Sequence, residues 1–361
     1  MTKAVLGALL GLFLFAASNL LHAAEDTAPP PVYAVPGTER ITKLMWIDDA
    51  QFERQLEVVH GKSPDPNIGL FGPHSVMWRL NRHFTPAALG SGRALLLQIA
   101  HPWVTAAIDE HSITRTDPLK RGRNTFRYLL QMTYGTRDQA MQAARDVRVI
   151  HDRIVGHLQQ QAGTFGEGTE YRANEVQAMI WVHATLWETL VMTYEQSIGP
   201  LSATDKERFY QETKLFAYLF GIPDEALPKN WDDFLVYCQQ MRDSGTLEVT
   251  PATQQLADYL FGWHGVMMYF PLKYAKLAAS ANLPPDLREA YGLKYGPIRQ
   301  SFFRTSLWMS RVGHKVTPGF ITKNPVHKEA VARLKGKRAS WWTRTQINMA
   351  LGQKTLVNDY Q

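Results

Sequence analysis

A helix that the Thr136 and Gln139 pattern should open carries Met141, Ala144, Val147, Ile154 and Leu158 at three-to-four spacing, and His151 falls in step with them. An imidazole on such a face has two chemical readings. It is either a core histidine satisfied by backbone, or a ligand that gives one ring nitrogen to iron while the other donates to a carbonyl. His183, in step with Val176, Met179, Ile180, Trp187 and Leu190, is either its competitor for the iron or a packing residue behind it. His157 lies towards the edge of the first face and is the weaker ligand.

A second group precedes these. Arg121, Asn124 and Thr125 stand at i, i+3 and i+4 and project from one side of a helix, with Tyr128 and Met132 continuing the stripe. A guanidinium beside a hydroxyl suits a carboxylate; with Lys120, Arg123 and Arg127 close by, a solvated first turn explains the group equally well. His101, in Ala100-His101-Pro102, ends a buried helix that begins near Gly92, and either faces a pocket or caps its own carbonyls. Glu110 and His111 form an acid–imidazole pair able to move protons, or a surface contact. One imidazole for a metal, with cationic and hydroxyl groups for propionates, is what a buried, non-covalently held haem requires.

Other chemistries lack their signatures. There is no Cys-x-x-Cys-His for covalent haem and no His-Glu-x-x-His for zinc. Glu57-x-x-His60 has no second copy for a di-iron bundle, and Gly90-Ser91-Gly92 has no following Lys-Ser or Lys-Thr for a phosphate loop.

The elements that must position these residues read as helices. Asp117-Pro118 should open one that runs to Tyr134, and Thr136 the next, to about Gln161. Asn174 with Gln177, Ser202 with Asp205, Asn230, and Thr250-Pro251 mark further starts. Thr246–Thr250 is the one strand candidate, and the final ~70 residues look less regular. The spacing predicts an all-α chain. With 361 residues, 45% hydrophobic, and no repeat or low-complexity linker over 40–335, one large domain is the simplest organisation.

The ends differ from the middle. Lys3, the apolar stretch Ala4–Ala17 and the small residues before Ala24 describe a signal peptide over 1–23, cleaved after Ala23 and implying export to the periplasm or medium. An uncleaved membrane tether is the alternative. Residues 24–40 read as a flexible lead-in, 41–332 as the helical domain and 333–361 as a basic tail. Cys238 is the lone cysteine, so no intrachain disulfide can form. The net charge of +6 comes with no nucleic-acid module. Arg333, Lys335, Lys337 and Arg338 are a solvated run or a contact for anionic lipid headgroups.

Taken in order, several segments resemble the catalytic-domain family of the rubber oxygenases (latex-clearing proteins) and the ER-bound mpaB-type oxygenases. They are Gly72-Pro73-His74-Ser75 with Trp78, Gly92–Gln98 with Ala100-His101-Pro102, and His111-Ser112. Arg121 with Asn124-Thr125, Val149-Ile150-His151 with Gly156, Trp181–Ala184, and Tyr194-Glu195 with Gly199–Ser202 complete the set, which covers roughly 65–320. The resemblance implies a helical domain with a globin-like core around haem b, and cleavage of an isoprenoid C=C bond by dioxygen. It implies His151 as the proximal iron ligand, with Arg121 and Thr125 lining the haem site. The rubber enzymes carry a lysine where this chain has Asn124, so the distal side is expected to be left to water or oxygen. Glu110 is the nearest candidate for the family's acid. The leader lacks a twin-arginine pair, which implies haem insertion after export.

Three functions compete. The first is a haem-dependent oxygenase for a small apolar, isoprenoid or lipid-like substrate and O2, its tunnel lined by Met, Phe and Trp. The second is a non-catalytic haem protein: sensor, electron carrier or haem store. The third is a cofactor-free lipid carrier. The sequence names no redox partner.

Overall fold

Residues from Trp46 to Leu356 are described by a computed structural model, apart from 64, 112–117, 263–265, 319–321 and 354; the side chains of 118–122 and 266–268 also lie outside it. The expected leader and lead-in, and Asp117, are outside the described residues. The first half runs α1 Asp49–Lys62, α2 Val76–Asn81, α3 Phe84–Ile99, α4 Pro102–His111, α5 Pro118–Tyr134, α6 Arg137–His151, β1 Val155–His157 and β2 Glu170–Arg172. The second runs α7 Val176–Ser197, α8 Ala203–Tyr218, α9 Trp231–Asp243, α10 Pro251–Leu260, α11 Val266–Asn282, α12 Pro285–Ala290, α13 Pro297–Val316, α14 Pro325–Leu334 and α15 Trp341–Leu351. The chain is all-α, and among the described residues the one sheet is an antiparallel pair, β1 with β2.

α3 and α7 form the axis of the core. Every residue from Leu89 to Ile99 is buried, Ser91, Arg93 and Gln98 among apolar and small neighbours. The close approach comes from Gly90 and Gly92. A Cβ on Gly90 would meet Thr189 Cγ2 of α7 at 2.6 Å, and one on Gly92 would meet the Ala275 carbonyl oxygen of α11 at 3.1 Å. Gly90-Ser91-Gly92 is therefore a helix-crossing motif. On α7, Thr185, Thr193 and Ser197 turn their hydroxyls onto carbonyls three or four residues back, so a buried polar stripe faces α3 without orphaned oxygens.

Arg93 ties this axis to its neighbours. Its Nη2 reaches Glu188 Oε2 at 2.8 Å, its Nε donates to the Asn282 carbonyl at 2.9 Å, and Arg242 Nη1 holds the other Glu188 oxygen at 2.9 Å. Burial pushes the Glu188 carboxyl up, but Arg93 and Arg242 outweigh it and hold it below the usual range. Arg93→Ala leaves a buried carboxylate with half its partners, at a cost of about 3 kcal/mol. A urea midpoint reads this directly; a change below about 0.5 kcal/mol would refute the argument.

The helix starts at Thr136, Ser202, Asn230 and Thr250 are as predicted, and the Thr136/Gln139 capping box is complete. Four expectations are corrected. α6 stops at His151 and not near Gln161, because the chain turns into β1. Ile154 and Leu158, four apart, fit one helical turn or two strand alternations equally; they are buried with Trp103, Phe165 and Tyr171. α7 is capped by Glu175, which accepts from Ala178 N, while Asn174 donates to Asp152. Thr246–Thr250 forms no strand; Glu248 N instead donates to the Ala100 carbonyl that ends α3.

The final residues are the fourth correction. α13, α14 and α15 are regular helices, the latter two capped by Asn324 and Ser340. Val326, Ala330, Ile347 and Leu351 pack with Trp78 and Tyr134, so the stretch expected as a basic tail contains a packed helix.

Candidate active site

A cavity of about 1090 Å³, mouth included, opens between α4, α5, α6, α7, α8 and β2. Its walls are largely apolar: Val104, Leu129, Met132, Val147, Met179 and Phe216 among others.

His151 lines this cavity from the last residue of α6. Its ring lies 6.2 Å from that of Phe220, centroid to centroid. The Asn174 side chain hydrogen-bonds to it, and Asn174 Nδ2 donates in turn to Asp152 Oδ1 at 2.6 Å. Desolvation, reinforced by the Arg148 guanidinium, lowers the imidazole from 6.5 to about 4. At neutral pH the ring is uncharged, one nitrogen is held by an amide, and a lone pair is left for a ligand.

His183 lines the same cavity but offers something different. Trp187 Nε1 donates to His183 Nδ1 at 3.1 Å, so the proton of the neutral ring sits on Nε2. That Nε2 is buried with no partner among the described residues. Burial lowers this imidazole to about 3. While the indole donates, His183 presents an N–H to the cavity and no lone pair, so it does not compete with His151 for a metal.

Thr125 and Tyr128 of α5 also line the cavity. Asn124 is half-buried and is not among the lining residues, and the side chain of Arg121 lies outside the described residues. His101 is buried against the rings of Trp103 and Phe165 and does not line the cavity. Glu110 is exposed one turn beyond Ala107, where Tyr171 Oη donates to its Oε2 at 2.6 Å and His111 Nε2 lies 3.1 Å from the same hydroxyl. Gly156 passes so close to that hydroxyl that a Cβ would meet it at 2.5 Å. The structure thus brings His151, His183 and Thr125 together and leaves Glu110, His101 and Asn124 off the lining.

Three residues of the site were missed from sequence. Arg172 of β2 lines the cavity with its guanidinium against Glu170 and over the Trp46 ring, 4.9 Å from the centroid. Gln98 of α3 lines it too, its Nε2 donating to Thr185 Oγ1 at 3.0 Å. Asn174, assigned to a cap, holds the imidazole. None had a local signal, whereas the i, i+4 spacing of His183 and Trp187 could have exposed their pairing.

Among the described residues no three His, Cys, Asp or Glu side chains converge. A metal at His151 would then take its remaining ligands from elsewhere, as a porphyrin supplies them. The apolar walls, the single anchored imidazole and the neighbouring Arg172 fit such a group.

The sequence profile of the family described as "ER-bound oxygenase mpaB/B'/Rubber oxygenase, catalytic domain" matches residues 78–312, well over half of the chain. The chain belongs to that family. The oxygenase-family match runs from Trp78 in α2 to Val312 in α13 and so contains every cavity-lining residue named above. Uncharacterised proteins of Mycobacterium bovis and Mycobacterium tuberculosis are each 23% identical over 234 residues, which is 62% of this chain and 87% of theirs. No solved structure matches the chain.

Proposed function

We propose that this protein is a haem b-dependent oxygenase acting on the C=C bond of an apolar, isoprenoid or lipid-like substrate. The observation that carries the reading is the pairing of an apolar cavity with one imidazole, His151, kept neutral by burial and the Arg148 guanidinium and hydrogen-bonded to Asn174. Family membership supports the reaction class. When bound, haem supplies the iron chemistry that activates dioxygen.

The chain's own groups have separable tasks. His151 would hold the iron, and Arg172 and Thr125 would meet propionate carboxylates. The Nε2–H of His183 would donate to a polar atom inside the cavity, where low dielectric strengthens that bond. The apolar walls exclude water. Leu129 and Leu186 also border a second cavity, lined by Phe84, Phe126, Leu130 and Leu190, whose apolar walls would suit an apolar chain.

Supplying haem to the purified chain, recording the visible spectrum and measuring oxygen consumption with a polyisoprenoid tests this. The expected result is a Soret band at one haem per chain and substrate-dependent oxygen uptake. Haem uptake without oxygen consumption would assign the non-catalytic role instead, and no Soret band would end the proposal.

A further inference from the structure

Charge is divided unevenly along the chain. Residues 259–361 contain sixteen Lys or Arg against four Asp or Glu, although the whole chain is only +6. This cationic third contains α11, α13, α14 and α15.

α13 carries an outward apolar ridge. Phe303 and Leu307 turn inward to pack with Leu89, Tyr274 and Ala278, and Arg311 donates to the Glu195 and Gln196 carbonyls at the end of α7. On the opposite side Ile298, Phe302, Met309 and Val316 fall on one line of the helix with Trp308 beside them, all 61–86% exposed. Arg299, Arg304 and Lys315 are exposed around this ridge, and the helix holds no acidic residue. Phe270 and Tyr269 are exposed on the neighbouring α11, next to Lys273.

We propose that this face docks on an anionic lipid bilayer. An amphipathic helix with Trp and Phe on one side and only cations among its charged residues lies in the plane of the headgroups, its apolar ridge below them and its cations at the phosphates. Among the described residues no helix is long and apolar enough to cross a membrane, so this helix lies on the surface. The charge argues against the other occupants. A second copy would set cations against cations, and a nucleic acid would leave the aliphatic side chains of Ile298, Met309 and Val316 in water.

The test places a reporter on the ridge itself, so that the apolar N-terminal stretch cannot mimic the signal. The native Cys238 is buried, and Met309→Cys in the full chain can carry an environment-sensitive fluorophore such as NBD. Vesicles of phosphatidylcholine with one-quarter phosphatidylglycerol should blue-shift and brighten it, while a label at Asp232→Cys on α9 stays unchanged. Pure phosphatidylcholine should require more than tenfold more lipid, and so should anionic vesicles with the added pair Arg304→Glu and Lys315→Glu. A ridge label that does not respond to anionic vesicles overturns the proposal. So does a response equal in the charge-reversed chain, self-association that buries the label, or quenching by DNA or RNA alone.

Discussion

His151→Ala is expected to abolish haem retention, the Soret band falling below a tenth of wild type while the helical far-UV signal is kept. The substitution removes the one imidazole that the cavity holds ready with a lone pair, because the His183 ring is committed to Trp187 and carries its proton on Nε2. Asn174→Ala should act through His151 without touching the cofactor. Loss of such a supporting hydrogen bond weakens metal binding by ~10–100-fold, read as a higher haem dissociation constant and an altered iron-ligand spectrum. Undiminished haem binding by His151→Ala would move the ligand elsewhere and remove the argument from Asn174 with it.

Three buried histidines and Glu175 should together make acid destabilise the haem-free protein by about 3 kcal/mol between pH 6.5 and 5. His101 and His183 are lowered to about 3 by burial, and His151 to about 4 by burial and Arg148. Above pH 6.5 folded and unfolded chains alike keep these rings neutral. Below it the unfolded chain takes up protons that the folded chain refuses, so each ring removes about 1.7 kcal/mol over this interval. Glu175 opposes one of them. Burial raises its carboxyl from 4.5 to about 7, so the folded state gains a proton first as pH falls and is stabilised by a similar amount. Urea midpoints across this range measure the balance. His101→Gln should flatten the decline, and a stability that is level or rises towards pH 5 would contradict the burial of these rings.

The limits of local pattern show in single residues. The i, i+4 pair Ile154 and Leu158 fits both a helix and a strand, and in the structure the two flank β1 and are buried with Trp103, Phe165 and Tyr171. Arg172 sits in a short polar stretch with no periodicity to mark it, yet β2 turns it into the cavity. Glu110 looked like an acid beside a histidine; Tyr171, sixty-one residues away, takes its carboxylate outside the lining. The excess of cations after residue 259 was countable in the chain, but the apolar ridge they surround was not, since burial of Phe303 decides which side of α13 faces out.

Sequence alone determined the helical class, most helix starts, the family and the nomination of His151, because caps and apolar spacing act within about four residues and are written locally. Tertiary structure decided how far α6 runs, that Asn174 holds His151 from twenty-three residues away, and which nominated side chains share one cavity. Those outcomes depend on hydrogen bonds and steric fits between distant segments, which exist only once the helices have packed.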